Sequence, residues 1–183
     1  MSINIDMTKY YRLLYDDKDK YAVAESRELP LTEDILPQKR INQGQWKPIA
    51  YKAGKGILSD MLGENLGLVV ISQKFKDLID EQGILPVNMQ LIKNPVKDVK
   101  GKLHDYYIVH IAKPMDTLHS TESVFMEDSL IKPVLDSEKI KPYKLLSFSQ
   151  DSSMPSLVVS ADIRKMIIEK GLTGMEINPI PVV

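Results

Sequence analysis

The sequence predicts an α+β fold, a mixed and largely antiparallel sheet with a few helices packed on one side. Three observations lead there. Short runs of β-branched and aromatic residues outnumber helical stripes, the connections between them are short, and two strand–helix–strand units follow one pattern. With 183 residues the chain can build one real core but is short for two, so residues 1–183 read as a single domain.

The C-terminal unit is the clearest. An apolar run, Leu157–Val159, stops at Ser160, whose hydroxyl can cap the free amides of a helix. Asp162 then sits where a carboxylate opposes the positive end of the helix dipole. Ile163, Met166 and Ile167 make one apolar stripe, Gly171 ends the helix, and Leu172–Ile180 reads as a strand. The same device comes earlier: Leu68–Ile71, a Ser72 cap, the stripe Phe75, Leu78 and Ile79, then Gly83 and an extended Pro86–Ile92. Ser72 and Ser160 stand 88 residues apart, as do Gly83 and Gly171. Two readings stay open: a pseudo-repeat around one sheet, or the coincidence of two common helix ends.

In chain order, Lys9–Tyr15 is a first strand, able to set Tyr11, Leu13 and Tyr15 on one face, and Asp16–Lys20 is a charged loop. Residues 21–55, interrupted by Pro30, Pro37 and Pro48, read as a long loop with short extended pieces, pinned to the core by Trp46. Ile57–Leu62 reads as a short helix before Gly63. Asn94–Lys102 is a turn, and Leu103–Ile111 is the best strand, apolar on both parities and therefore central. It pairs hairpin-like with Val87, Met89 and Leu91. Pro114–Asp128 is irregular, Leu130–Leu135 and Tyr143–Phe148 are further strands, and Gln150–Ser156 is a polar loop.

No catalytic signature stands out. His104 and His110 share a strand face but lie about 20 Å apart, too far for one metal ion. His119, in HSTES, has Ser120, Glu122 and Ser123 as neighbours, but adjacent residues rarely form a triad, and no G-x-S-x-G elbow is present. Gly54-Lys55-Gly56 fails the phosphate-loop pattern. The pairs Asp16/Asp17 and Glu33/Asp34 read as solvated loop charge, and Tyr10, Tyr11, Tyr106 and Tyr107 as strand core. A net charge of −1 argues against a nucleic-acid partner, and the lack of cysteine against disulfides and thiolate metal sites. With neither a signal-peptide pattern nor a membrane-length apolar run, the expectation is a soluble, cytoplasmic protein.

The segment LVVSADIRKMIIEKGLTGMEINPI, Leu157–Ile180, resembles the C-terminal signature of a family of bacterial immunity proteins from polymorphic toxin systems. It is the family numbered eleven, named after a myxobacterial member and formerly a domain of unknown function. Tyr10–Asp16 is similar to that family's opening tyrosine-rich strand, and Leu58–Ser72 to its middle segment ending in Val-x-Ser. Tyr106–Leu118 is similar to its central strand and the Asp-Leu segment that follows. The likeness spans most of the chain, is specific only at its end, and leaves residues 21–55 unmatched.

The resemblance implies a protein without enzymatic activity or cofactor that binds a cognate toxin encoded nearby and neutralises it by stoichiometric occlusion. It carries no binding residues across. From loop position and charge, Asp16, Asp17, Asp19, Glu33 and Asp34 are the candidate partner-binding residues, expected to be exposed and outside the core. The near-neutral charge disfavours a basic nuclease as the toxin. The alternative is a small-molecule-binding or regulatory domain without catalysis, with a pocket beside the central strand. A third reading is an enzyme with a dispersed site around His104, His110 or His119.

Overall fold

Both strand–helix–strand units form. A computed structural model describes residues 9–27, 39–127, 129–148 and 156–183. In the first unit β5 (Val70–Ser72) enters α1 (Gln73–Gln82), which leads to β6 (Met89–Lys93). In the second, β13 (Leu157–Ser160) enters α3 (Ala161–Glu169), which leads to β14 (Met175–Ile180). α1 buries its predicted stripe, Phe75, Leu78 and Ile79, and α3 buries Ile163 and Ile167 of its own, with Met166 half-buried against the same core. Gly83 and Gly171 end them at φ 59° and 60°, in the left-handed region that glycine enters without steric cost.

Within each unit the two strands are parallel but not neighbours. β9 (Tyr106–Ile111) lies between β5 and β6, antiparallel to both, and β1 (Tyr10–Tyr15) lies between β13 and β14 in the same way. A further antiparallel strand flanks each: β4 (Met61–Glu64) beside β5, and β12 (Leu145–Ser147) beside β13. The orders β4-β5-β9-β6 and β12-β13-β1-β14 are thus one topology, present twice.

The match extends to single bonds. Ser72 opposes Tyr106 and Ser160 opposes Tyr10; Met89 opposes Ile111 and Met175 opposes Tyr15. The Tyr106 hydroxyl donates to the Ser59 carbonyl at 2.8 Å, and the Tyr10 hydroxyl donates to the Tyr143 carbonyl at 2.6 Å. In both cases the acceptor lies two residues before the flanking strand. Lys76 of α1 lies over the Tyr107 ring and Arg164 of α3 over the Tyr11 ring, at 5.4 and 4.7 Å. At the helix ends Ile84 N–H donates to the Ile79 carbonyl, and Leu172 N–H to that of Ile167. Of the two readings left open, coincidence does not account for this correspondence; the chain contains one unit twice.

The remaining elements fill the places between. β2 (Val23–Glu25), a 3₁₀ turn (Gln43–Gln45) and β3 (Tyr51–Ala53) lie in the segment after β1. β7 (Val96–Lys97) and β8 (Leu103–His104) separate β6 from β9. β10 (Val124–Met126), β11 (Ser129–Lys132) and α2 (Ser137–Ile140) follow β9. The larger sheet runs β6-β9-β5-β4-β2-β3-β7-β8, and only β2–β4 and β3–β7 are parallel. The fold is therefore α+β, mostly sheet and largely antiparallel. One core cluster joins the helix faces of both units; a second, around Tyr51, Leu62, Val70, Tyr106 and Ile108, lies on the other face of the larger sheet. No helix among the described residues is long and apolar enough to cross a membrane.

Four expectations are corrected. Ile57–Leu62 is not a helix: Met61 and Leu62 face opposite core clusters, as strand neighbours must, and Gly63 lies inside β4, where a Cβ would meet the Tyr15 ring at 3.0 Å. Leu103–Ile111 is two strands that break at Asp105, because β8 pairs with β7 while β9 serves β5 and β6. Val87 lies outside β6 and is exposed. Ser160 occupies the N-cap position without capping through its side chain. Ser72 does cap, accepting from Phe75 N–H at 3.2 Å while donating to Asp60 at 2.6 Å. The residue matching Asp60 is Lys144, which cannot accept, and the Ser160 hydroxyl donates instead to Asp162.

Ser72→Ala is therefore expected to cost about 1 kcal/mol, and Ser160→Ala at most about half that, in urea unfolding. Equal costs would contradict the asymmetry.

Candidate interaction surface

The histidines are each committed locally. His104 Nε2 lies 2.9 Å from Asp98, whose other oxygen receives the Lys100 and Lys102 amides and closes the turn between β7 and β8. That contact holds the Asp98 carboxyl below its ordinary pKa. His119 Nδ1 accepts from the Glu122 amide at 3.3 Å. Ser123, a neighbour in HSTES, is buried and exchanges hydrogen bonds with the Val134 backbone, so it closes a β-ladder, and the hydroxyl within reach of His119 Nδ1 is that of Thr121, at 3.4 Å. Among the described residues no three His, Asp or Glu side chains gather to hold a metal ion.

The acidic set divides. Asp16 is buried, contrary to expectation: its carboxylate takes the Lys18 ammonium at 2.7 Å and the Lys18 amide at 3.2 Å, while its own amide donates to Gly174. The Lys18 hydrogen bond first of all lowers its pKa. Asp16 therefore shapes the turn after β1 and is not free for a partner. Asp17 and Asp19 are exposed. Glu33 and Asp34 lie outside the described residues.

The segment after β1 is fastened by side-chain amides. Asn65 accepts from Ser26 N–H at 3.0 Å and donates to the Ser26 carbonyl; Gln90 does the same to Ile41, and Asn94 to Ile49. Each amide imitates a strand neighbour, giving a sequence without strand periodicity the bonds of a sheet edge. His110, buried on β9 opposite Gln90, adds a contact from Nε2 to the Lys39 carbonyl at 2.8 Å, while its Nδ1 is buried without a partner. Trp46 packs half-buried against the second core cluster, as a pin should.

The segment after β9 ends differently. The ladder begins with Leu118 opposite Leu135 and a bond from His119 N–H to the Val134 carbonyl, then continues into β10 and β11 as a two-stranded arm. Glu127 turns the arm at φ 54°. Its apolar side chains face water: Phe125 is 43% exposed, Ile131 56% and Met126 66%, with Val124 exposed beside them. Glu122, Glu127 and Lys132 form no ion pair among the described residues. Exposed apolar side chains gathered on a two-stranded arm make it the candidate interaction surface among the described residues. The sequence predicts a strand at Leu130–Leu135, which β11 meets in part, but not its partner β10, because three-residue Val-Phe-Met carries no period and the Pro114–Asp128 stretch looks irregular.

Burial first, and then the Arg40 charge, hold the His110 pKa below its ordinary 6.5, against the raising influence of the Lys39 carbonyl. The unfolded chain binds this proton more readily than the folded one, so stability is full above pH 6.5 and falls as pH drops below it. His110→Gln is expected to flatten that fall between pH 7.5 and 5.5 in urea unfolding; an unchanged slope would contradict the assignment. In comparisons with protein-family models and with curated proteins, nothing matches this chain.

Proposed function

We propose that the chain is an immunity-type binding protein that neutralises a cognate bacterial toxin in the cytoplasm by stoichiometric occlusion, without cofactor or catalysis. The observation that carries this reading is the exposed apolar arm, β10–β11, on a doubled-sheet scaffold. The likeness of Leu157–Ile180 to an immunity-protein signature supports it. Physically, occlusion needs a rigid frame and a few anchors that fill pockets on the partner. A doubled sheet supplies the frame, and Phe125 and Met126 supply large side chains already exposed. Burial of such anchors recovers transfer free energy that folding leaves unused. Asp17 and Asp19 then contribute by steering the encounter rather than by holding the complex.

The test is co-expression with the neighbouring gene product, followed by pull-down and a growth assay. A tight complex and rescue of growth are expected. Phe125→Ser with Met126→Ser is expected to weaken the complex by about 2 kcal/mol or more, roughly thirtyfold, because hot-spot anchors carry most of an interface. The absence of both complex and toxicity would sink the immunity reading. Asp17→Lys with Asp19→Lys is expected to slow association severalfold at low salt and leave dissociation unchanged; association rates independent of salt would retire the steering role.

A further inference from the structure

The outer face of β3, β7 and β8 bears an open cleft of about 350 Å³, remote in sequence from the arm. Pro48, Ala50, Pro95 and Leu103 line it, with Tyr51, whose hydroxyl is committed inward to Glu64 at 2.5 Å. Leu103 is 63% exposed, and Val99 on the adjoining turn is equally so. Two lysines, Lys52 and Lys97, line the same cleft. They are register partners across the parallel β3–β7 pair, which places their α-carbons about 5 Å apart.

Like charges directly opposed on a sheet repel, and folding gains nothing from placing them there. Neither lysine makes an ion pair among the described residues. Glu25 stands opposite Lys52 on β2 and offsets one charge. Asp98, next to Lys97 in sequence, is already taken by His104 and two backbone amides. Lys100 and Lys102 on the same turn add positive charge to a chain that is otherwise balanced. The site thus joins an apolar wall to a cationic pair that Glu25 offsets only in part.

We propose that this cleft binds a small amphipathic anion, an aliphatic or aromatic carboxylate. Its apolar body lies against Pro48, Pro95 and Leu103, and its carboxylate sits between the Lys52 and Lys97 ammonium groups. A carboxylate there turns the repulsion between the lysines into two attractions. The volume lies at the small end of ligand clefts, which suits a single short chain or ring. Nucleic acid is a poor occupant, because the one aromatic in the lining is buried and offers no stacking face. The site is independent of the arm and of the toxin-binding reading.

Isothermal titration of the whole chain with sodium decanoate, below its micelle-forming concentration, tests the proposal against decanol as the uncharged equivalent. One saturable site is expected, with decanol binding at least tenfold more weakly. Lys52→Gln with Lys97→Gln, both exposed positions, is expected to cost decanoate at least tenfold and leave decanol unchanged. Lys97→Glu, which gives Lys52 a partner on the adjacent strand, is expected to abolish decanoate binding. Phe125→Ser, on the arm, is expected to bind decanoate as the unaltered chain does. Equal affinity for decanoate and decanol, no saturable binding, or unchanged affinity in the lysine variants would overturn the site. Tighter binding of an apolar peptide ending in a free carboxylate would overturn the small-molecule assignment.

Discussion

The structure depends on β1 holding two hydrogen-bonded ladders at once. After α3 the chain returns as β14, parallel to β13, with a gap one strand wide between them. Left open, that gap would strand two rows of backbone donors and acceptors against a helix-covered face, where water cannot reach them. β1 fills it from the opposite end of the chain, and Tyr10 and Leu13 extend its contribution into the core. In the first unit the middle strand β9 follows its helix closely, so its loop closes early. The second unit cannot complete its sheet until distant segments meet, and such non-local pairing is the slow part of folding.

Because the same unit occurs twice, the differences between copies are informative. The paired tyrosine hydroxyls, the cations over tyrosine rings and the glycine helix ends recur in both. They are what the unit requires. What differs follows the middle strand in each copy. After β1 comes the segment fastened by Asn65, Gln90 and Asn94, which ends at the lysine-lined cleft. After β9 comes the apolar arm. The arm lies wholly on the segment after β9, whereas the cleft is shared between the segment after β1 and the β7–β8 segment that separates β6 from β9.

The helical parts of this fold were legible in the sequence because their signals are local. A serine before an apolar stripe and a glycine after it are read within a dozen residues, and both stripes are buried where expected. The middle strands left a fainter trace, the Tyr-Tyr pairs at 10–11 and 106–107, which only the shared topology makes meaningful. The fastened segment was illegible for a physical reason: its sheet-like bonds come from single Asn and Gln side chains, which have no period. The acidic set shows the limit of charge as a guide. Asp16 satisfies its carboxylate on Lys18 two residues away and is buried, while Asp17 beside it is exposed. Of the arm, β10 was missed because a short exposed apolar strand and an irregular loop have the same composition, whereas β11 falls within the expected strand Leu130–Leu135 but for Ser129.

Placing binding surfaces on insertions follows from how fully the units are used. In the units, Tyr10, Tyr106 and Ser72 each spend their hydroxyls on bonds that fix strand to strand or strand to helix. Altering them for a partner would cost the fold. The arm is joined to the core through Ser123, Val134 and the Leu118–Leu135 pair at its base and through Leu130, so Val124, Phe125, Met126 and Ile131 are the side chains left largely free of packing duty. The same holds for Lys52 and Lys97, which face outward from strands whose inward residues, Tyr51 and Val96, are buried. Side chains that the core does not use are the ones that can change at little cost to stability, which is the condition that the proposed partner binding sets.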